Sequence, residues 1–349
     1  MLMEFRQHCI EKAHSDDLEN VTQVLALNHV FLFEDGKENN LREMFDGELW
    51  MAVVNDIEKQ SVSYRLSNDD ILRCHAMSEA ASHTFEDCKS LLRKWQQQEA
   101  DGDVLTEFFE SMYLQQESWW NQEDAFVHEI LGPVLKPFFA SNKLLKRNWS
   151  TDTLDASSHR KKKFDPSLQG RKPDFSVFTS VKSKKEFLFV AEIKSPKHRG
   201  RSDLLDDKAK LGNEMKDSLD MMIDDGIEND DVIICGLLVQ GFRYSVYTID
   251  LKYDGVYRMA LLGQFFLPRD NHDFWGLANA IQILMKAKII VTHTCEICVK
   301  GLRTSKFKSK VVSKEQDLVA VGGENELLKT PQRKLMVRGS FFTPIKVPI

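Results

Sequence analysis

Apolar positions in the first third of the chain recur at intervals of three and four, the spacing of one helix face. Ile71, Leu72, Cys74 and Ala76, then Phe85, Cys88, Leu91, Leu92 and Trp95, follow this pattern, and Ser67 or Asn68 is placed to cap the helix start. Residues 1–115 are therefore expected to be mainly helical, although 45–66 could hold a short hairpin instead. A second helical block is expected over about 116–140, with Phe126, Ile130, Val134, Leu135 and Phe138 on its apolar face. Pro133 should kink or interrupt it. No internal repeat is found.

Beyond residue 142 the period shortens. "KRNWSTDTLDAS" reads as a first strand, and the polar "HRKKKFDPSLQG" as a loop ending in turn residues. "PDFSVFTS" and "EFLFVAEIK" are rich in β-branched and aromatic residues and read as strands joined through "VKSKK". A helix over 203–223 follows, striped by Leu204, Leu211, Met215, Leu219 and Met222. Then come "VIICGLLVQG", "RYSVYTIDL" and "VYRMALLGQFFL" as three strands, the last two joined by the turn "KYDG". A helix near 271–286 and a short strand "KIIVTHT" close the pattern, and residues 300–349 read as a basic tail without periodicity. This order of elements packs most naturally as an α/β fold, one mixed sheet flanked by helices, with a helical N-terminal extension.

Composition narrows the classes. With 349 residues, 42 % hydrophobic and 10 % aromatic, the chain can bury a real core. No run approaches eighteen uninterrupted apolar residues and the N-terminus lacks a secretory signal, so no membrane span is expected. Six scattered cysteines fit a reducing intracellular compartment, nucleus or cytoplasm, better than a disulfide scaffold. The formal net charge of −6 is unevenly spread. Residues 1–142 hold 11 Lys+Arg against 27 Asp+Glu, whereas residues 143–210 hold 18 against 9. Such a local basic field attracts phosphate backbones. Arg160, Lys161, Lys162, Lys163, Arg171, Lys172, Lys197 and Lys210 are the candidate contacts; the alternative is a solvated lysine-rich surface.

Within that basic segment lies the candidate chemistry. Side chains alternate along a strand, so Leu188, Val190, Glu192 and Lys194 share one face, and Phe187, Phe189, Ala191 and Ile193 the other. Both faces are apolar until the strand ends, where Glu192 and Lys194 emerge roughly 7 Å apart. If Asp174 lies on the adjacent strand, its carboxylate converges with that of Glu192. With the Ile193 carbonyl, the two would make an oxygen-rich site of the kind Mg²⁺ or Mn²⁺ prefers. A metal there would activate water, and Lys194 would steer it or stabilise developing negative charge.

"PD" at 173–174, eighteen residues before "EIK" at 192–194, resembles the PD-(D/E)xK nuclease superfamily. The resemblance spans roughly 116–240 and implies a restriction-endonuclease-like core of helix, three strands, helix and strand. It also implies an acid from the preceding helix, for which Glu123 is the candidate and Glu129 the fallback, and polar residues on the following helix, where Lys210, Glu214 and Asp217 share a face. Longer stretches such as "KLGNEMKDSLDMM" resemble uncharacterised proteins of early-diverging fungi of the same nuclease-like class. The implied organisation is an acidic helical region (1–115), a nuclease-like domain (116–299) and a basic tail (300–349).

Weaker signals add little. His293, Cys295 and Cys298 lack a second ligand pair for structural zinc, and Trp119 and Trp120 suit a core as well as base stacking. Three functions follow: a Mg²⁺-dependent nuclease with DNA the favoured substrate, a nuclease-fold protein that binds nucleic acid without cutting, or an effector-like module contacting a protein through its acidic N-terminal region.

Overall fold

The computed structural model describes residues 1–304, except 16, 37–39, 61, 99–102, 114–125, 150–152, 163–166, 168, 182, 196–200, 228–229, 254 and 269–273. At 60, 98, 113, 129, 201–206 and 304 the backbone alone is described.

Seven strands form one mixed sheet: β1 (Val30–Phe33), β2 (Leu145–Trp149), β3 (Phe175–Val181), β4 (Lys184–Lys194), β5 (Ile234–Gln240), β6 (Arg243–Tyr253) and β7 (Val256–Phe266). Their spatial order is β1-β7-β6-β5-β4-β3-β2. The β1–β7 and β4–β5 pairs are parallel and the rest antiparallel. The helices are α1 (Leu2–His14), α2 (Val21–Leu27), α3 (Asn40–Glu43), α4 (Gly47–Gln60), α5 (Asn68–His83), α6 (Phe85–Gln98), α7 (Val104–Tyr113), α8 (Gly132–Phe139), α9 (Asp155–Lys162), α10 (Arg201–Asp224) and α11 (Leu277–Thr304). The mixed α/β architecture flanked by helices is therefore as the sequence pattern predicts.

Local chemistry explains several elements. Ser67 caps α5 by accepting the Asp70 N–H at 3.1 Å, while the Asp70 carboxylate accepts the Ser67 N–H at 3.2 Å. This reciprocal pair satisfies two of the amide donors that a helix start leaves open. Pro133 does not break the second block: a π-helical turn (Phe126–Leu131) runs into α8, whose first turn holds the proline where no intrahelical N–H is needed.

Four expectations are corrected. Residues 47–60 form α4, not a hairpin. The basic run from His159 is not a loop as far as Lys162, because it closes α9, where cations at a helix C-terminus offset the macrodipole. "KIIVTHT" is not a strand: α11 continues through it to Thr304. Its buried Ile283, Leu284, Ala287, Ile290, Val291, Cys295 and Cys298 keep the helical spacing, so burial against the sheet overrides the β-branched propensity. Fourth, the helical N-terminal region also supplies β1, wholly buried and paired with β7. A four-residue apolar run carries no period by which to be recognised. The helical run Phe274–Arg303 is, among the described residues, the one helix long and apolar enough to cross a membrane by length and composition, and half of its most apolar window is buried in the core.

The two faces of the sheet are covered differently. On one, α11 approaches so closely that a Cβ on Gly263 would lie 2.7 Å from the Ile283 side chain, and Phe139 of α8 stacks near Phe189. On the other, α10 crosses β4 and β5, where a Cβ on Gly236 would meet Met215 Sδ at 2.4 Å. Val190 and Glu192 pair with Gly236 and Leu238, so they face α10. That face carries the candidate chemistry.

Candidate active site

Asp174 precedes β3 by one residue. Phe175 pairs with Ala191 in the antiparallel ladder, so Asp174 stands opposite Glu192 one step on. Directly opposed residues project to the same side of a sheet. The Asp174 N–H donates to the Ala191 carbonyl at 3.0 Å, and Asp174 Oδ2 accepts the Ile193 N–H at 2.7 Å. The aspartate thus continues the ladder through its side chain and fixes the end of β4. Lys194, half-buried, lies two residues beyond Glu192 on the same side, and its carbonyl accepts the Gly241 N–H at 2.8 Å. The structure brings Asp174, Glu192 and Lys194 to one end of one strand pair.

Glu192 is only 2 % exposed. Its Oε2 accepts from Lys210 Nζ at 2.5 Å, and the same ammonium donates to the Lys172 carbonyl at 3.2 Å. Glu192 Oε1 has no partner among the described residues. Glu214 of α10 is fully buried, and neither of its carboxylate oxygens meets an N–H or ammonium donor among the described residues. Burial, the charge of Glu214 and that of Asp174 raise the Glu192 carboxyl well above the usual range, against the pull of Lys210. Burial likewise raises Glu214, opposed by Lys210 and Arg171. Two ionised carboxylates cannot hydrogen-bond each other, so this pair is held by neighbouring cations or by a shared proton. Burial alone would lower the Lys210 ammonium; the Glu192, Glu214 and Asp174 carboxylates outweigh it and raise its pKa.

The basic residues divide into two kinds. Arg160 is not a surface group: its Nε lies 2.5 Å from Asp217 Oδ1 and its Nη2 donates to Oδ2 at 3.2 Å, with Asp217 buried. Arg171 is largely buried too; burial lowers its pKa, and Glu214, Asp217 and Glu192 pull it back. The loop carrying Arg171 is clamped to α9, with the Leu154 N–H donating to the Arg171 carbonyl at 2.7 Å and the Arg171 N–H to Ser157 Oγ at 3.2 Å. Only glycine fits beside it, because a Cβ on Gly170 would lie 2.8 Å from the Ser158 nitrogen. Lys161 donates to the Gln169 carbonyl at 2.6 Å, whereas Lys162 and Lys172 are exposed. Further along, His159, Lys184 and Lys185 pair with Asp224, Asp225 and Asp155. Much of the positive charge of 143–210 is thus answered internally, chiefly by acids on α10. Glu123, Lys163 and Lys197 lie outside the described residues, as does the side chain of Glu129.

The sequence placed Lys210, Glu214 and Asp217 together on one face of the helix after the motif, as secondary polar residues that could contact substrate. The signal for a deeper position lay in the stripe itself: Glu214 is three residues after Leu211 and adjacent to Met215, inside the arc α10 turns to the sheet. Among the described residues no three His, Cys, Asp or Glu side chains come together as a metal-ligand group. Cys295 and Cys298 are buried thiols whose pKa burial raises. Comparison with protein-family models, with curated proteins and with solved structures found no match to this chain.

Proposed function

We propose that the chain hydrolyses phosphodiester bonds of nucleic acid, with Mg²⁺ or Mn²⁺, at the C-terminal end of β4. One observation carries this reading: Asp174, just before β3, is opposed to Glu192 on β4 with Lys194 beside them, and a buried Glu192 oxygen has no partner among the described residues. The donor chemistry fits a hard cation. All candidate ligands are oxygens, and a buried carboxylate oxygen without a donor favours any cation that reaches it. Asp174, Glu192 and the Ile193 carbonyl would hold the ion. When bound, such an ion supplies an activated water and neutralises charge on a phosphoryl group.

The remaining work falls to the chain itself. The Lys194 ammonium, on the side of Glu192, stabilises negative charge developing on the phosphate. Asp174, through the Ile193 N–H, holds the end of β4 in place. Exposed Lys162 and Lys172 contact the backbone without reading sequence. The second reading, binding without cutting, draws support from Lys210, which already neutralises Glu192 in this structure.

The purified chain should cut mixed DNA and RNA substrates with Mg²⁺ or Mn²⁺ and stop when chelator is added. Binding without cutting under any metal would favour the second reading. Neither binding nor cutting would leave a protein-interaction module through the acidic N-terminal region as the better account.

A further inference from the structure

The Lys210–Glu192–Glu214 arrangement has a property that a nuclease motif alone does not require. Among the described residues three buried carboxylate oxygens, Glu192 Oε1 and both of Glu214, meet no donor other than a proton shared between the two carboxyls, while one lysine ammonium holds Glu192 Oε2. Glu214 is 0 % exposed, and solvent cannot satisfy it. Such groups are costly unless a proton or a cation answers them. Lys210 answers one oxygen, and its side chain remains 30 % exposed, so it has a path to solvent. It lies one helical turn before Glu214 and also reaches the Lys172 carbonyl, on the loop that leads into Asp174.

We infer that Lys210 is the resident counter-ion of a three-carboxylate cation site, Asp174, Glu192 and Glu214, and that a divalent cation takes its place. This rests on the metal-dependent reading above and adds two things to it: Glu214 as the third acid, and an exchange that links metal uptake to substrate. On exchange the Lys210 ammonium leaves Glu192 and is delivered to the exposed side beside Lys172, where a substrate phosphate can take it. Metal-free protein then has a neutralised, closed site, and metal-loaded protein has both the ion and an added phosphate contact. Among the described residues the three carboxylates do not form a ready-made ligand group, so the exchange also requires them to draw together around the ion.

Mn²⁺ binding to the full chain, followed by the paramagnetic signal of free ion, tests the exchange. Lys210→Met should bind Mn²⁺ about tenfold or more tightly than wild type, because the competing ammonium is gone. Glu214→Gln should weaken binding about tenfold or more, and Glu186→Gln, at the far end of the strand, should leave it unchanged. A second measurement needs no variant: amine-reactive labelling of Lys210 in wild type, read by mass spectrometry, should rise when Mg²⁺ is added. Equal Mn²⁺ affinity in wild type and Lys210→Met, or Lys210 labelling indifferent to Mg²⁺ in a protein that binds it, overturns the exchange and leaves the nuclease reading standing. Normal Mn²⁺ affinity in Glu214→Gln removes Glu214 from the site. Absence of Mn²⁺ binding in every form overturns the metal-dependent reading together with this one.

Discussion

At one end of β4, Glu186 is 1 % exposed beside Asp225, and Lys184, two residues before it, reaches the same aspartate. At the other end Glu192 is 2 % exposed beside Glu214, and Lys194 follows two residues later. Both ends therefore offer a buried glutamate, an acid on α10 or just past its end, and a lysine at spacing two. The difference lies in their neighbours. Around Glu186 stand Thr179, its register partner, and the neutral thiol of Cys298. Burial first, then Asp225, raises its carboxyl to about 8, so a single proton can neutralise that end near neutral pH. Around Glu192 stand a second and a third carboxylate, Asp174 and Glu214, with Lys210 and Arg171 nearby and the exposed Lys172 in contact with Lys210 through its carbonyl. A glutamate–lysine pair at a strand end is common chemistry; the surplus of carboxylates beside cations that can reach solvent is what distinguishes one end as the candidate site.

The largest expected contrast is in cleavage. Asp174→Ala or Lys194→Ala should lower the single-turnover rate on the order of 10³-fold or more, the scale of losing a group that acts on transition-state charge. Affinity for uncut nucleic acid should stay within about twofold, because neither residue is required for backbone contact. Parallel losses of rate and affinity would place both residues in binding and would break the contrast between the ends.

Stability should separate the basic residues that sequence alone treats alike. Arg160→Ala leaves Asp217, 3 % exposed, without its guanidinium and should cost about 3–5 kcal/mol in urea denaturation. Lys162→Ala, at an exposed position, should change stability by less than about 0.5 kcal/mol. Similar small effects from both would mean that Arg160 is as solvated as its neighbours.

A third test uses pH on the Glu186 end. Its folded pKa of about 8 exceeds the ordinary value of 4.5, so between these the folded state holds a proton that the unfolded chain has released. Stability should be fullest below the ordinary value, fall as pH rises through the window by up to about 1.4 kcal/mol per unit, and level off above about 8. Glu186→Gln should flatten that slope. Identical profiles for wild type and variant would show that the carboxyl is not buried in its neutral form.

How far the sequence reaches is visible in particular residues. Alternation along "FLFVAEIK" places Glu192 and Lys194 together, and antiparallel pairing brings Asp174 opposite, because both depend on the local period of two. The same method could not place Arg160 and Arg171. Whether a cation is solvated or buried depends on what another element brings to it, here Asp217 and Glu214 from α10, and that partner is 57 residues from Arg160. It also misread residues 288–294, where β-branched side chains favour a strand and burial of every third or fourth residue along α11 prevails. β1 escaped notice because its pairing partner, β7, is more than two hundred residues away.

The smallest effect concerns the surface. Lys162→Ala with Lys172→Ala should weaken binding to all sequences alike and reduce the slope of log affinity against log salt by about 1.8 if each residue meets one phosphate of duplex DNA. An unchanged slope would make these lysines a solvated face.

Two isosteric substitutions side by side decide whether one end of β4, and not the other, is a phosphodiesterase site. Glu192→Gln and Glu186→Gln each remove one buried carboxylate from the same strand and keep its shape. Cleavage is measured with Mg²⁺ on proteins of matched folded fraction. Glu192→Gln should abolish cutting and Glu186→Gln should leave it at the wild-type rate. Equal loss in both, or cutting that survives Glu192→Gln, would contradict that assignment.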